Sequence, residues 1–398
     1  MLKKATAKIF ERFENWLKNR RHFIFSWYTK DAQVTSESKR SLIELPPKIR
    51  QKLVDAVENL PINPADHEAV VSGLDEAFTI WQEDPRNANN SVVILSSPVT
   101  PVSRILSETL PEWAEQKQVS LRLLPFTSRP DAIESIKSKL EHYIEEKSTQ
   151  NYSSSQKSEI IVIPNLSWCF LRSLEGLEGI DYLRSLLCNG DQNRFWIIGS
   201  GQICWEYLNL IYNLEAYCGQ VNSLPEIAPD KLQEWLDPII DKLKITFDKP
   251  RIDQQLLDDD KDNQAHYFDV LADITQGVSI VAVQEFLKSI YCQEVDDDSD
   301  SQDQSEILIA RTPKLEKLPA VESIDHYLLY SLLLHEDLTI SALAESLGDE
   351  EAEVQARVQM LRQQSIIKQR QGVLKVNPIY YPQLQQELEA NNFFVNKD

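Results

Sequence analysis

Short apolar runs alternate with stretches of helical spacing along most of this chain. The runs at 91–97 (SVVILSS), 119–124 (VSLRLL), 159–164 (EIIVIP), 194–200 (RFWIIGS) and 243–248 (LKITFD) each read as a strand, and each precedes helical sequence. Ile160 to Ile163 shows no polar alternation, which suits a central strand covered on both faces. Strands alternating with helices predict an α/β fold of three layers, a parallel sheet between helices. Two helices should precede the sheet, at 46–60 and 64–83, and a helical region should follow at about 264–292. Residues 320–398 carry the pattern of a winged helix. Helices are expected at 325–334, at 339–347 with Gly348 as the stop, and at 350–365. A hairpin wing follows at 366–376, turning at Gln371-Gly372, and a last helix runs from after Pro382 to about Asn391.

Charge is spread unevenly over this pattern. The chain carries −21 overall, while residues 1–30 hold eight Lys and Arg against Glu11 and Glu14, about +6. The acidic excess argues against binding nucleic acid through bulk charge. In residues 1–28, Leu2, Ala5, Ile9, Phe13, Trp16 and Leu17 recur at helical spacing, with Lys3, Lys4, Lys8, Arg12 and Lys18 largely elsewhere. Two readings fit this basic amphipathic helix. One is docking to a membrane surface or a partner through Phe13, Trp16, Leu17, Arg20 and Arg21; the other is a terminal helix packed on its own domain. Seven acids in the thirteen residues 294–306 leave almost nothing to bury, so that tract reads as a flexible tether. Asp258 to Asp262 reads as an exposed loop. The expected organisation is a basic helix (1–30), a linker with N-terminal helices (31–90), a P-loop-like domain (91–250), a helical lid (251–292), an acidic flexible linker (293–319) and a winged helix (320–398).

The strand at 91–97 and the helix that starts near Arg104 enclose the place of a phosphate-binding loop, G-x-x-x-x-G-K-[ST]. The chain has Ser96 for the first Gly, Pro101 for the second and Val102 for the Lys, and only Ser103 fits. Such a loop grips phosphate through successive backbone N–H groups and one Lys. Pro98 and Pro101 have no N–H to give, and Val102 brings no charge.

The order of segments over residues 65–395 resembles P-loop ATPases of the AAA+ and STAND type that end in a winged helix, and more narrowly a group of bacterial AAA-like ATP-binding proteins. Asn165 to Ser173 (NLSWCFLRS) is similar to the stretch after that group's Walker B strand, 194–209 (RFWIIGSGQICWEYLN) to its sensor strand and following helix, and 267–290 to its helical lid. The closing residues, Val376 to Tyr381 and Asn391 to Phe394, resemble its winged-helix end. The resemblance implies ATP and Mg²⁺ bound by carboxylates after Ile163, but Pro164 and Asn165 stand there instead. The sensor position falls near Ser200, and 276–278 has no Arg to face a γ-phosphate. The expectation is therefore a scaffold that neither binds ATP nor hydrolyses it, acting through protein contacts, with an active AAA+ paralogue as one candidate partner. Two alternatives stay open: a winged-helix DNA-binding regulator and an unconventional ATP-binding protein.

Arg172 has two readings, a trans-acting arginine at a neighbour's site or a partner for Glu175 or Glu178 on a helix. DNA-reading winged helices put the start of helix three in the major groove. Here that turn carries Glu350, Glu351 and Glu353; Arg357, Arg362, Lys368, Arg370 and Lys375 lie beyond it or on the wing. Six Lys and Arg against twelve Asp and Glu give residues 320–398 a net charge of −6, which favours protein contact over DNA. Trp168, Trp196, Trp205 and Trp235 read as core packing. Five scattered cysteines without a C-x-x-C pair suit reduced thiols in a cytoplasmic protein, which could also sit at the inner membrane face. His and Cys lack metal-ligand spacing, no G-x-S-x-G elbow occurs, and neither a membrane-spanning run nor a signal peptide is legible.

Overall fold

The structure, a computed structural model, describes residues 45–393 apart from 87, 125, 127, 146–158, 189–192, 249–250, 253–254, 257–259 and 294–306. The basic segment with Phe13, Trp16, Leu17, Arg20 and Arg21 lies outside the described residues, and so does the acidic tract 294–306.

Helices α1 (Pro47–Glu58) and α2 (Pro64–Glu83) lead into β1 (Ser91–Ser96), α3 (Val102–Lys117), β2 (Leu121–Leu123), α4 (Ser135–Glu145) and β3 (Glu159–Ile163). A 3-10 turn (Leu166–Cys169) follows, then α5 (Glu178–Cys188), β4 (Arg194–Gly201), α6 (Gln202–Tyr212), β5 (Gln220–Ser223) and α7 (Pro229–Leu243). The five strands form one parallel sheet in the order β2-β3-β4-β1-β5. Alternation along the strands divides the core in two. Val92, Ile94, Ile160, Val162, Phe195 and Ile197 face α2 and α3, where Phe78, Trp81 and Trp113 complete an aromatic cluster with Phe195. Val93, Leu95, Ile161, Ile163, Trp196 and Ile198 face α4, α5 and α6. The fold is the expected α/β sandwich of three layers.

The fifth strand is a correction. Sequence places it at 243–248, but β5 (Gln220–Ser223) closes the sheet beside β1. An edge strand is half solvated and needs no apolar run, so QVNS gives no signal. The apolar Ile245 and Phe247 serve elsewhere, around β6 (Thr246–Phe247). A small hairpin, β7 (Arg251–Ile252) with β8 (Gln255–Leu256), leads to helices α8 (Asp260–Thr275) and α9 (Ser279–Ser289), then β9 (Ile290–Gln293) and β10 (Ile307–Ala310). Strands β6, β10 and β9 make a second sheet. Asp260 to Asp262, expected in a loop, start α8. Ile307–Ala310, inside the expected 293–319 linker, is a strand because its apolar residues Leu308 and Ala310 are buried.

The C-terminal module runs α10 (Ser323–His335), β11 (Leu338–Thr339), α11 (Ile340–Leu347), α12 (Glu351–Gln363), β12 (Ile367–Arg370), β13 (Val373–Val376), a 3-10 turn (Pro378–Tyr380) and α13 (Tyr381–Ala390). Thr339 caps α11 by accepting from the Ala342 N–H, and Gly348 ends it at φ +76°, a backbone region that favours glycine. The antiparallel sheet is ordered β11-β13-β12. Helix α10 is buried nearly all round because it packs on α6 and on the 3-10 turn after β3 as well as on its own module. The module therefore sits over the C-terminal ends of the parallel strands. Among the described residues no helix is long and apolar enough to cross a membrane.

Candidate functional site

In an open parallel sheet, ligands enter the crevice beyond the carboxyl ends of the strands. Here that crevice lies where β4 separates β1 from β3. Its walls are the loop 97–101, Pro164-Asn165 and Ser200-Gly201.

The loop is folded on itself. Ser96 Oγ donates to the Thr100 carbonyl at 2.8 Å, and the Thr100 N–H donates to the Ser97 carbonyl at 2.9 Å. Pro101 precedes the first turn of α3 without any side-chain cap. Val102 is fully buried and lies against Gly199, where an added Cβ would come within 2.6 Å of the Pro164 carbonyl oxygen and 2.7 Å of Leu106 Cδ1. Ser103 is buried in that first turn. Arg104, the cation nearest the loop in sequence, bonds Glu108 at 2.8 Å and the Leu60 carbonyl at 2.7 Å.

The crevice is occupied by the turn between α10 and β11. Glu336 has φ +62° and ψ −39°, and the Asp337 N–H donates to the His335 carbonyl at 2.7 Å. This is a γ-turn of the rare positive-φ kind, costing about 1–3 kcal/mol, and it persists because the surroundings hold it. It aims the Glu336 carboxylate into the crevice. Asn165 Nδ2 donates to Glu336 Oε2 at 2.7 Å, and Glu336 Oε1 would lie 3.0 Å from a Cβ at Gly201. Asn165 Oδ1 also accepts from the Ser167 N–H at 2.9 Å, so this side chain, just after β3, both caps the 3-10 turn and holds the Glu336 turn. Pro98, Val99 and Pro101 of the loop face Leu332, Leu333, Lys375 and Val376 of the module, leaving about 10 Å³, roughly one water.

Two arginines tie the turn down. Arg129 was not legible in sequence as a site residue. It is half-buried and donates to four carbonyls: Phe170 (2.9 Å), Ser167 (2.6 Å), Asp337 (2.7 Å) and His335 (3.3 Å). Burial pulls its guanidinium pKa down, and Asp337, Cys204 and Glu336 oppose that shift. Arg172 departs from the expected placement on a helix. It sits in a bend rather than on a helix, and Nη2 donates to Ser331 Oγ at 3.0 Å and the Ser346 carbonyl at 3.2 Å.

The electrostatics follow from burial. Glu336 is pushed up to about 8, first by desolvation and next by Asp337, while Lys375, Asn165 and Arg129 pull it down. His335 is held well below its ordinary value, first by burial, then by Arg129 and Arg172. Both ring nitrogens face donors: the Arg172 N–H donates to Nε2 at 3.2 Å, and Arg129 Nη2 lies 3.1 Å from Nδ1. An imidazolium would set N–H against N–H on both sides.

Of the other candidates, Arg357 is engaged by Asp325 at 3.0 Å and Glu322 at 3.7 Å, Arg362 is exposed on α12, and Lys368 and Arg370 are half-buried on β12. Trp168, Trp196, Trp205 and Trp235 are all buried in the core. Among the described residues no three His, Cys, Asp or Glu are grouped to hold a metal ion.

No protein-family model matches the chain, and no curated protein matches it closely enough to count as a relative. Solved structures do align with it. The RuvB Holliday junction branch migration motor of Thermotoga maritima aligns over 82% of this chain and 96% of its own, at 11% identity and a TM-score of 0.32. Cdc6p from Pyrobaculum aerophilum covers 83% of this chain and 96% of its own, at 12% identity and a TM-score of 0.34. A chain of Drosophila ORC bound to AT-rich DNA and Cdc6 covers 65% of this chain and 42% of its own, at 12% identity and a TM-score of 0.36. Likenesses this distant carry no argument about function.

Proposed function

We propose that this chain is a non-catalytic P-loop-like protein, an adaptor or regulatory module that works through protein contacts. The observation behind the reading is the Glu336 carboxylate standing between the Gly-less, Lys-less loop and Asn165, where triphosphate would have to enter. The Glu336 side chain takes up the space a phosphate would need, and Asn165 offers a metal ion no charge. Each lost charge-assisted hydrogen bond removes about 1.5–3 kcal/mol from binding, so losing several abolishes it. In the C-terminal module, read as a winged helix, the start of α12 presents Glu351 and Glu353, and Arg357 is engaged by acids of α10. Both features favour protein over DNA as its partner.

The test is phosphate release by the purified chain with Mg-ATP, run beside a Ser103→Ala variant. Equal, background release from both supports the reading. Release above background that Ser103→Ala abolishes would overturn it.

A further inference from the structure

Glu336 enters the crevice on a strained turn, with one of its two carboxyl oxygens unsatisfied. Its backbone lies at φ +62° and ψ −39°, a region residues other than glycine rarely adopt. Oε2 accepts from Asn165 Nδ2 at 2.7 Å, while Oε1 is buried without a hydrogen-bond partner in the protein. The space is closed: a Cβ on Gly201 would lie 3.0 Å from Oε1, and about 10 Å³ is left between the loop 97–101 and the C-terminal module. The groups that face the carboxyl do not secure a negative charge on it. Asp337, next in the chain, opposes one. Lys375 of β13 favours one but is shared with Asp337, 3.5 Å away. Arg129 favours one too, but its donors go to main-chain carbonyls. His335 and, on α6, Cys204 are held neutral by burial, and the loop 97–101 brings no charged group. An ionised carboxylate needs donors on both oxygens, and the protein supplies one to Oε2 alone.

We propose that this turn is a proton-operated latch: the neutral carboxyl keeps it seated beyond the ends of β1, β3 and β4, and loss of the proton drives the turn out and opens the crevice. The sign follows from burial. Desolvation raises the Glu336 pKa from an ordinary 4.5 to about 8, so seating is fully favoured below pH 4.5 and weakens progressively as pH rises to 8. The strained turn favours release once the proton is gone. The latch rests on the reading of the crevice as filled by Glu336, and the two fail separately, since phosphate release tests catalysis and thiol exposure tests the latch.

Three of the cysteines report on it. Cys204, fully buried in the first turn of α6, lies beside Glu336 three residues after Gly201. Cys218 is buried near Ser91, at the other end of the sheet, and reports opening of the fold as a whole. Cys188 is exposed and sets the intrinsic reactivity. The test is alkylation of the full chain by iodoacetamide, followed residue by residue by mass spectrometry, for the parent and for Glu336→Gln. Relative to Cys188, Cys204 of the parent should react on the order of tenfold faster at pH 8 than at pH 6.5, because each opening releases a proton. In Glu336→Gln that ratio should change by no more than about twofold. Cys204 should also react faster than Cys218 throughout. Equal rates for Cys204 and Cys218 overturn the proposal, because Cys204 is then reached only by global unfolding. So does a Cys204 to Cys188 ratio that stays flat from pH 6.5 to 8 in the parent, or one that rises as steeply in Glu336→Gln. The first two of these outcomes need only the parent chain.

Discussion

Arg129 and Glu336 show how far a single residue can be from its sequence signal. Each is an ionisable group in a polar stretch, FTSRPD and LHEDLT, where exposure is the natural reading. Arg129 is drawn inward because carbonyls from positions 167 to 337 converge on it, and nothing local announces that convergence. Ser96, Pro101, Val102 and Asn165, by contrast, were legible at once, because a phosphate loop is defined by position and residue type. Arg129→Met should cost at least about 3 kcal/mol, since buried carbonyls lose their donor at about 1–3 kcal/mol each; the urea midpoint measures it. Glu336 has a raised pKa in the fold, so the native state holds a proton the unfolded chain releases above about 4.5. Stability present below that pH is lost as pH rises toward 8. Glu336→Gln cannot ionise, so its stability relative to the parent should increase between pH 4.5 and 8.5 in denaturant titrations. His335 acts oppositely: with its pKa depressed, only the unfolded chain takes up a proton below about 6.5. A Glu336→Gln protein should therefore still lose stability as pH falls from 6.5 to 5, and adding His335→Asn should flatten that slope.

At the scale of elements, the strands buried on both faces were legible and the edge was not. Ile160–Ile163 and Phe195–Ile198 bury every side chain, so burial writes a continuous apolar run. Gln220–Ser223 pairs with β1 through its backbone alone and writes nothing. The helices of the C-terminal module fall within about two residues of their expected ends, because Thr339 and Gly348 are caps with a local mechanism. The loop before α3 packs against the crevice through its own side chains. Restoring the motif with Ser96→Gly, Pro101→Gly and Val102→Lys should destabilise by several kcal/mol, because residue 102 is fully buried and a lone cation there has no partner. It should not restore ATP binding, since Glu336 still fills the crevice. Thermal unfolding with and without Mg-ATP checks both parts.

Across the whole molecule, one continuous core joins the lower face of the sheet, the helical pair and the C-terminal module. The module itself contains no tryptophan, so fluorescence reports on the rest of the chain and circular dichroism on all of it. The two urea transitions should coincide in the parent chain, as expected of one cooperative unit. In Arg129→Met the dichroism should fall first. The proposed reading rests on a crevice that its own chain fills. The most direct measurement is a thermal-shift titration of the purified protein with Mg-ATP. A true site at about 100 times its Kd would add about 2.7 kcal/mol of stability. The account predicts no saturable shift up to millimolar nucleotide, and a saturable rise in Tm would contradict it.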